Sequence, residues 1–517
     1  MGNSANKSEI GEEIEFLCRA GQSCFTHGDY RQARKYYRRA LSHHQHLPAR
    51  TNDSNQVQLE IYLQIADTYI KECKHKKVNQ VCQKISKIAQ KLTDDLGLAR
   101  ILDRQGESKR LQGQFDLAIE DFGQSLKMKK EILQNEDNLE ISTSYFLLGC
   151  LYYDQDAYDN ALIMYQKALP IKLSKLGENH ADVAEIYQKM GNVYFQQSKY
   201  DDALLMYQKK IDIGVEIFGE KHDSVAHSYY NIGLVYDNQS MYDKAISMYE
   251  KALSIQSERA SENPLDIANS YHNIGIAYRH QGQYELALSM HQKALNIRLK
   301  LQECQHSNVA QLYHDMGDIH CRQFAYKEAL SMFGKALKIR LKLYGENHLE
   351  VAHSYTSIGD IYRHQYNCDK AFFMYKNSLK IQLKVNGDKL ADVAQLYNNL
   401  GLVLSYQNRV DDALIMYNKA LDIYLNLYTE NHTIVGIVYQ NMSNAYEKQQ
   451  KDDEASMMRQ KSFNIAKRLQ QEDPNILPDA LTEGPSPGTT EINHKVNTLF
   501  STWIFAELWS YLGEYLR

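Results

Sequence analysis

Residues 187–207 read YQKMGNVYFQQSKYDDALLMY, and close variants of this stretch return along the chain. Its glycine is one of eight small residues that follow one another at an unbroken spacing of 42: Gly149, Gly191, Gly233, Gly275, Gly317, Gly359, Gly401 and Ser443. A fixed period of about 20–50 residues is the signature of a repeat protein. The question of function therefore moves from a single active site to a surface that neighbouring repeats build together.

A tyrosine stands four positions before every one of these small residues: Tyr145, Tyr187, Tyr229, Tyr271, Tyr313, Tyr355, Tyr397 and Tyr439. An apolar residue precedes each small residue directly, and a further tyrosine usually follows three positions after it. These offsets fall on one side of a helix with 3.6 residues per turn. The pattern predicts a first helix whose small residue lets a neighbouring helix approach closely.

A second helix is predicted from an alanine twelve positions after each small residue and an aromatic residue four positions later, as at Ala203 and Tyr207. A short polar turn, residues 196–199, separates the two helices. Glycines follow the second helix in several repeats, where we expect a left-handed backbone to end it: Gly177, Gly219, Gly345 and Gly387. Each unit is therefore a helical hairpin that buries both faces only by stacking on its neighbours.

This spacing resembles the tetratricopeptide repeat (TPR), and the 42-residue length is similar to the kinesin-light-chain branch of that family. The turn Glu178-Asn179-His180 before Val183-Ala184 is also similar to that branch, although the family's proline after the histidine is absent. The resemblance implies an all-α fold, an α-solenoid (TPR superhelix) of about eleven helical hairpins. It also implies that the first helices of the repeats line a concave groove.

The repeat pattern divides the chain into five predicted segments. Residues 1–11 read as a flexible N-terminus, 12–139 as divergent TPR-like repeats, and 140–470 as eight regular repeats. Residues 471–492 form a linker rich in proline and glycine. Residues 493–517 read as an apolar C-terminal helix that carries Trp503 and Trp509, which we expect to cap the last repeat.

Composition narrows the possible functions. The formal net charge is −5, so the overall electrostatic signature of nucleic-acid binding is missing. No apolar stretch is long enough for a transmembrane helix. Eight scattered cysteines are typical of reduced thiols, so we expect a cytoplasmic protein. Association with the cytoskeleton is a further expectation. Motifs of nucleotide sites, hydrolases and metal sites are missing too, so we expect no catalytic residue, no cofactor and no metal ion.

Histidines and acidic pairs recur at fixed places of the repeat, which favours a structural role over catalysis. Five histidines share one turn position, where we predict capping or turn residues: His180, His222, His306, His348 and His432. Acidic pairs such as Asp201-Asp202 and Asp411-Asp412 begin second helices, where they complement the positive end of the helix dipole.

The candidate binding residues lie on the face of the first helices that the resemblance places in the groove. Asparagine amides, which both donate to and accept from a peptide backbone, stand two positions before the small residue at Asn231, Asn273, Asn399 and Asn441. A basic cluster four and five positions after it consists of Arg279, His280, Arg322, Arg363 and His364. This cluster predicts a site for an acidic peptide.

An alternative interpretation of the basic cluster is a solvated face of mixed charge. Asp318 precedes Arg322 by four positions, and Asp360 precedes His364 by four. Such pairs satisfy one another within a single helix. The sequence leaves both interpretations open.

The chain starts with Met-Gly, and residues 1–6 partly match an N-myristoylation signal, with Asn6 where serine or threonine is preferred. Gly2 is therefore a candidate lipidation site. A single acyl chain would hold a membrane only marginally.

Three functions remain in competition. The first is a non-enzymatic scaffold or adaptor that binds short segments of other proteins in the groove. A narrower form is a kinesin-light-chain-like cargo adaptor for a microtubule motor. The third is an enzyme, or its regulatory subunit, with a cryptic active site in the divergent N-terminal repeats. Loss of a hydrolase or transferase activity on deletion of residues 1–139 would favour this third function.

Overall fold

The computed structural model describes residues 2–26, 28–45, 52–258, 263–301, 306–387 and 390–472. These residues form 22 α-helices and no strand. The helices are α1 (Gly2–Thr26), α2 (Tyr30–Gln45), α3 (Asn52–Lys71), α4 (His75–Leu92), α5 (Asp95–Arg110), α6 (Phe115–Leu133), α7 (Leu139–Asp154), α8 (Tyr158–Leu176), α9 (Ala181–Gln196), α10 (Tyr200–Phe218), α11 (Asp223–Asn238), α12 (Tyr242–Glu258), α13 (Pro264–His280), α14 (Tyr284–Lys300), α15 (Ser307–Arg322), α16 (Tyr326–Tyr344), α17 (Leu349–His364), α18 (Cys368–Asn386), α19 (Ala391–Tyr406), α20 (Val410–Leu427), α21 (Thr433–Lys448) and α22 (Asp452–Glu472).

The helices pair as eleven hairpins, which confirms the predicted all-α solenoid. Each odd-numbered helix forms the first arm of a hairpin, and the next even-numbered helix forms the second. The described residues fall into two compact units, unit 1 up to Ser270 and unit 2 from Tyr271 onward. The predicted segment boundaries at residues 139, 470 and 492 stay predictions.

The glycine of a repeat is required by the ring that the second helix places against it. A Cβ atom added to Gly233 would lie 2.5 Å from the ring of Tyr249, and one added to Gly191 would lie 2.7 Å from that of Tyr207. Contacts this short require the ring to move. The side chains of both tyrosines are buried. The glycine and the aromatic residue are therefore one packing unit, as the spacing predicts.

The repeated histidines cap the first helices, which confirms the structural interpretation. Each imidazole Nδ1 accepts a hydrogen bond from the backbone N–H two residues later, at 3.1 Å for His180 and 3.2 Å for His348. Three of these rings also stack on an aromatic residue that ends the preceding hairpin, as Tyr344 does on His348 at 4.2 Å between ring centroids. A side-chain acceptor at this place satisfies a backbone donor that has no partner within the helix.

The glycines that end second helices differ from the prediction. Gly177 and Gly219 have φ of 84° and 86°, as predicted, but ψ of 170° and 163°. This extended conformation is open almost only to glycine, and it is not the left-handed helical turn that we expected. A positive φ instead recurs at the end of the first helices, seven positions after the small residue, where most repeats have no glycine. There the backbone N–H of the following residue bonds back across the turn, as from Lys199 to the Tyr194 carbonyl at 2.9 Å.

A ladder of lysines lies over the tyrosines of the first helices. In seven of the regular repeats, a lysine Nζ lies 5.1–5.6 Å from the ring centroid of the tyrosine that precedes the small residue by four: Lys167–Tyr145, Lys209–Tyr187, Lys251–Tyr229, Lys293–Tyr271, Lys335–Tyr313, Lys419–Tyr397 and Lys461–Tyr439. Asn377 occupies the lysine position in the repeat of Tyr355. These cation–π contacts join the two helices of a hairpin at its surface.

Several predictions concern the two ends of the chain. Helix α1 begins at Gly2, inside the segment predicted as a flexible N-terminus, and neither that flexibility nor acylation of Gly2 is tested by this helix. The predicted linker and the C-terminal helix with Trp503 and Trp509 lie outside the described residues. Within the described part of the chain, every helix is too short or too polar to span a bilayer.

Candidate functional site

Unit 1 contains a polar cleft whose walls come mainly from its odd-numbered helices. The cleft has a volume of about 210 Å³, and its walls come from α9, α11, α12 and the start of α13. Its lining residues are Gln188, His227, Tyr230, Asn231, Gln256, Asp266 and Asn269. Asn231, one of the predicted groove residues, thus lies in a cleft that carries four side-chain amides.

Several cleft residues are held in place by their neighbours. His227 Nε2 lies 3.1 Å from a carboxylate oxygen of Asp266, and the Gln188 carbonyl accepts a hydrogen bond of 2.6 Å from Lys210. The Gln256 side chain accepts one of 2.8 Å from Ser270. The Asn231 amide makes no hydrogen bond with another described residue. An amide with free donors and an acceptor in a fixed polar cleft suits an extended peptide backbone.

The other predicted asparagines have different surroundings. Asn399 is buried, with only 8% of its surface exposed, and the Asn441 amide donates to the Asn398 side chain at 2.9 Å. Asn273 has polar interactions of its own within the protein. The asparagines that recur two positions before the small residue are therefore not equally accessible to a peptide.

Arg363 of the predicted basic cluster is held inside unit 2. Its guanidinium donates to the Tyr375 hydroxyl at 3.2 Å and lies 3.8 Å from the carboxylate of Asp360. The Tyr375 hydroxyl in turn donates to Asp360 at 2.6 Å. Asp360 thus pairs with Tyr375 on α18 as well as with Arg363 on its own helix. Arg363 joins α17 to α18 and is a positioning residue.

The remaining basic residues lie at the C-terminal ends of α13, α15 and α17. His280 and Arg322 are exposed, and His364 stacks on Tyr326 with ring planes 8° apart. Burial, and then the charge of Arg363, lowers the pKa of the His364 imidazole to about 4. His364 is therefore neutral near pH 7, and Arg322 carries the positive charge at this end of α15.

Exposed aromatic rings beside Arg322 and His364 form a feature that the sequence analysis missed. Phe324 and Tyr366 occupy the turns after α15 and α17, with 76% and 77% of their surfaces exposed. Tyr406, which ends α19, lies 6.1 Å from Tyr366 between ring centroids. We call Phe324, Tyr366 and Tyr406 the aromatic edge of unit 2.

The aromatic edge requires an unusual backbone. The φ angles of Phe324 and Tyr366 are 59° and 57°. Bulky residues rarely adopt such angles, because the Cβ atom approaches the backbone. The same turn position holds Ser198, Gly282 and Asn408 in other repeats, all residues of smaller bulk. Comparison of the repeats at this position is the sequence signal that would have found the edge.

Ionisable groups, most of them buried, cluster on α13, α14 and α15 in unit 2. His272 Nε2 and an Asp315 carboxylate oxygen are 2.7 Å apart, and the His272 ring lies 5.3 Å from that of His291. Burial raises the pKa of the Asp318 carboxyl to about 8, although the charges of Arg279 and Arg322 act in the opposite direction. Burial lowers the pKa of the His314 imidazole to about 3.

His291 occupies the position that is tyrosine or phenylalanine in most repeats. It is fully buried, and neither ring nitrogen has a hydrogen-bond partner among the described residues. Burial is also the main cause that lowers the pKa of its imidazole to about 3. Phe333 packs against Gly317 in the same geometry one repeat further on. Position 291 therefore accepts an aromatic ring without a polar atom.

Replacing His291 with phenylalanine should stabilise unit 2 by about 1–3 kcal/mol at pH 7, because it removes unsatisfied buried nitrogens. The gain should grow at lower pH. Near pH 5 the unfolded histidine binds a proton, because its pKa is about 6.5, while the folded one does not. Between pH 7 and pH 5 the free energy of unfolding of the wild type therefore falls by about 2 kcal/mol, a loss that the phenylalanine variant does not have. Denaturant unfolding at both pH values measures the difference. An equal or smaller gain at pH 5 would contradict a neutral buried His291.

Comparison with known proteins identifies the class of this solenoid. The sequence profile described as tetratricopeptide repeat matches residues 140–214, 182–258, 266–342, 310–384 and 392–468, and a second profile of the same description matches 14–42. These regions cover more than half of the chain. The protein belongs to the tetratricopeptide repeat family, and this membership supports an interaction scaffold. No curated protein sequence matches the chain.

Solved structures are similar in fold. The apo form of RapI is 18% identical with a TM-score of 0.54, and the match covers 72% of this chain and 98% of RapI. The apo form of the quorum sensor NprR from B. thuringiensis is 14% identical with a TM-score of 0.50, over 71% of this chain and 98% of NprR. At these identities the similarity concerns the helical-repeat fold.

Proposed function

We propose that the protein is a non-enzymatic adaptor that binds extended segments of other proteins on the surface of its odd-numbered helices. The aromatic edge of unit 2 is the observation that carries the proposal. Aromatic residues with more than three quarters of their surface in solvent are unfavourable there and are typical anchors of protein interfaces. Their positive φ angles add a cost that the fold does not need, because Asn408 makes the same turn.

The charges beside the edge favour an acidic segment. Arg322 is exposed two residues before Phe324, whereas Asp318 on the same helix is buried, and its burial raises the pKa of its carboxyl. The surface therefore carries the Arg322 cation two residues before the exposed ring of Phe324 in the chain. A segment with a carboxylate flanked by apolar side chains fits this arrangement.

The cleft of unit 1 also supports peptide binding, but through hydrogen bonds to the peptide backbone. The Asn231 amide is available for a peptide backbone, whose own donor and acceptor are then both satisfied. Asp266, the acidic residue of its lining, already contacts His227 at 3.1 Å, so side-chain amides rather than a charge would select a partner there. We propose backbone binding in unit 1 and side-chain selection in unit 2.

Replacing Phe324 and Tyr366 together with asparagine should weaken binding to acidic peptides that contain apolar anchors by at least about tenfold. The same change should leave the fold intact or stabilise it, because asparagine tolerates a positive φ. An array of acidic peptides, with and without apolar residues, measures the binding, and denaturant unfolding measures the stability.

A matched control for this variant is Phe373→Ser, because Phe373 is an exposed aromatic residue within α18 rather than in a turn. It should bind the array like the wild type. Arg322→Glu should weaken binding and reduce its dependence on salt. Arg363→Glu is unsuitable as a test, since Arg363 also joins α17 to α18. Full binding by the asparagine double variant would refute the role of the edge.

A further inference from the structure

The second halves of three successive even-numbered helices in unit 2 carry lysines and no acidic residue. These segments are residues 292–300 of α14, 334–344 of α16 and 376–386 of α18. Their exposed lysines, apart from the two in the tyrosine ladder, are Lys300, Lys338, Lys342, Lys376, Lys380 and Lys384. We call these six residues the lysine ridge. The nearest acidic residue that follows α16 is the exposed Glu346.

The ridge is not a general property of the repeat. Lys338 and Lys380 are equivalent positions of neighbouring repeats, and unit 1 has Asp212 and Ser254 there. Lys342 and Lys384 are likewise equivalent to Glu216 and Glu258 of unit 1, which are acidic. A chain with a formal net charge of −5 thus concentrates positive charge on one side of unit 2.

The ridge lysines are available for a partner. None of the six forms an ion pair with another described residue. The two arginines of the same segments, Arg298 and Arg340, are instead buried, and Arg340 bonds Ser354 and Gln311 inside the fold at 2.9 Å each. The exposed positive charges are therefore all lysines. Lysine is a compact point charge on a flexible stem, without the fixed fork with which arginine binds a single carboxylate.

Exposed apolar side chains accompany the lysine ridge. Leu301, Leu343 and Val385 each follow a ridge lysine directly and are 41%, 41% and 47% exposed. Ile217 and Leu427 are exposed at equivalent places in other repeats, so the lysines are what distinguishes this region. Lysines that alternate with short apolar side chains suit the interface of a bilayer, where anionic headgroups overlie acyl chains.

We propose that the lysine ridge docks unit 2 on a membrane surface that carries anionic lipids. Diffuse charge, the use of lysine and the accompanying apolar residues favour a bilayer over a folded acidic protein. Each basic residue near such a surface raises the membrane binding constant about fivefold, and salt lowers that constant. This site lies on the even-numbered helices and is separate from the proposed peptide surface.

Sedimentation of the full chain, without an acyl group on Gly2, with lipid vesicles tests the proposal. We expect binding to phosphatidylcholine vesicles that contain phosphatidylserine, weaker binding at higher salt, and little binding to pure phosphatidylcholine. Lys338→Glu combined with Lys380→Glu should lower the partition coefficient at least about tenfold. Lys209→Glu combined with Lys251→Glu makes the same charge change in unit 1 and should alter it less than about twofold.

Circular dichroism checks that both double variants keep their helices, and Lys338→Gln with Lys380→Gln replaces the glutamate pair if it does not fold. Leu343→Ser should also weaken vesicle binding without changing the net charge. Equal binding to both kinds of vesicle, no binding to either, or equal losses in the two double variants would overturn the proposal. So would binding to heparin or polyglutamate without binding to vesicles, which would indicate a soluble polyanion.

Discussion

Replacing Lys129 with methionine should lower the free energy of unfolding of unit 1 by about 3–5 kcal/mol, the range for breaking a buried ion pair. The Lys129 side chain is fully buried, and its ammonium group lies 2.6 Å from the Asp103 carboxylate. It also donates to the Ser144 hydroxyl at 3.0 Å. Methionine keeps the volume of the stem but leaves Asp103 charged and without its partner. Denaturant unfolding followed by circular dichroism measures the loss.

The double variant Lys129→Met with Asp103→Leu is the matched control. It removes both charges, and we expect it to recover most of the lost stability, because an apolar pair needs no desolvation of ions. If the single variant is as stable as the wild type, Asp103 is solvated or protonated in the folded chain. If the double variant is no better than the single one, the loss comes from packing or from the second partner of Lys129, the Glu140 carboxylate at 3.3 Å, rather than from the charge left on Asp103.

Replacing Gly275 with leucine should destabilise unit 2 by about 3 kcal/mol, the upper end of the range for overpacking. A Cβ atom at this position would lie 2.6 Å from the imidazole of His291, so even the first carbon of the new side chain displaces the ring. Because the repeats contact only their neighbours, we expect the loss to be local. Hydrogen exchange of the backbone in α13 and α14 should detect it.

Gly334→Leu is the control for this substitution. Gly334 lies in α16 with open space around its Cα, and a side chain there should be neutral or stabilising by about 0.5–1 kcal/mol. Protection in α13 and α14 that is as high in Gly275→Leu as in Gly334→Leu would show that the hairpin crossing tolerates a larger residue.

The parts of the fold that depend on one repeat and its neighbour were predictable from the sequence. The glycine and ring of a hairpin, such as Gly233 and Tyr249, stand at a fixed spacing because they touch. The histidine caps were predictable for the same reason, since Nδ1 of His180 bonds a backbone group only two residues away. Such short-range features leave a periodic signal that eleven hairpins repeat.

The site was less predictable, because accessibility depends on partners from another helix. Arg363 and Asp360 are three residues apart on α17, yet it is Tyr375 on α18 that holds both. The sequence gives no measure of whether an asparagine such as Asn399 is buried while Asn231 lines a cleft. Phe324 and Tyr366 were missed for a related reason, since aromatic residues in a tyrosine-rich repeat are expected in the core.

The central claim is that partners bind at the aromatic edge, and site-specific photo-crosslinking tests it most directly. A benzophenone amino acid replaces Phe324 in one protein and Phe373 in another; both residues are exposed phenylalanines of unit 2. The account predicts that, in a cell lysate, the probe at 324 captures discrete proteins and that excess acidic peptide with apolar anchors prevents the capture. The probe at 373 should capture none that the peptide displaces. Equal capture at both positions, or capture at 324 that the peptide does not reduce, would contradict the claim.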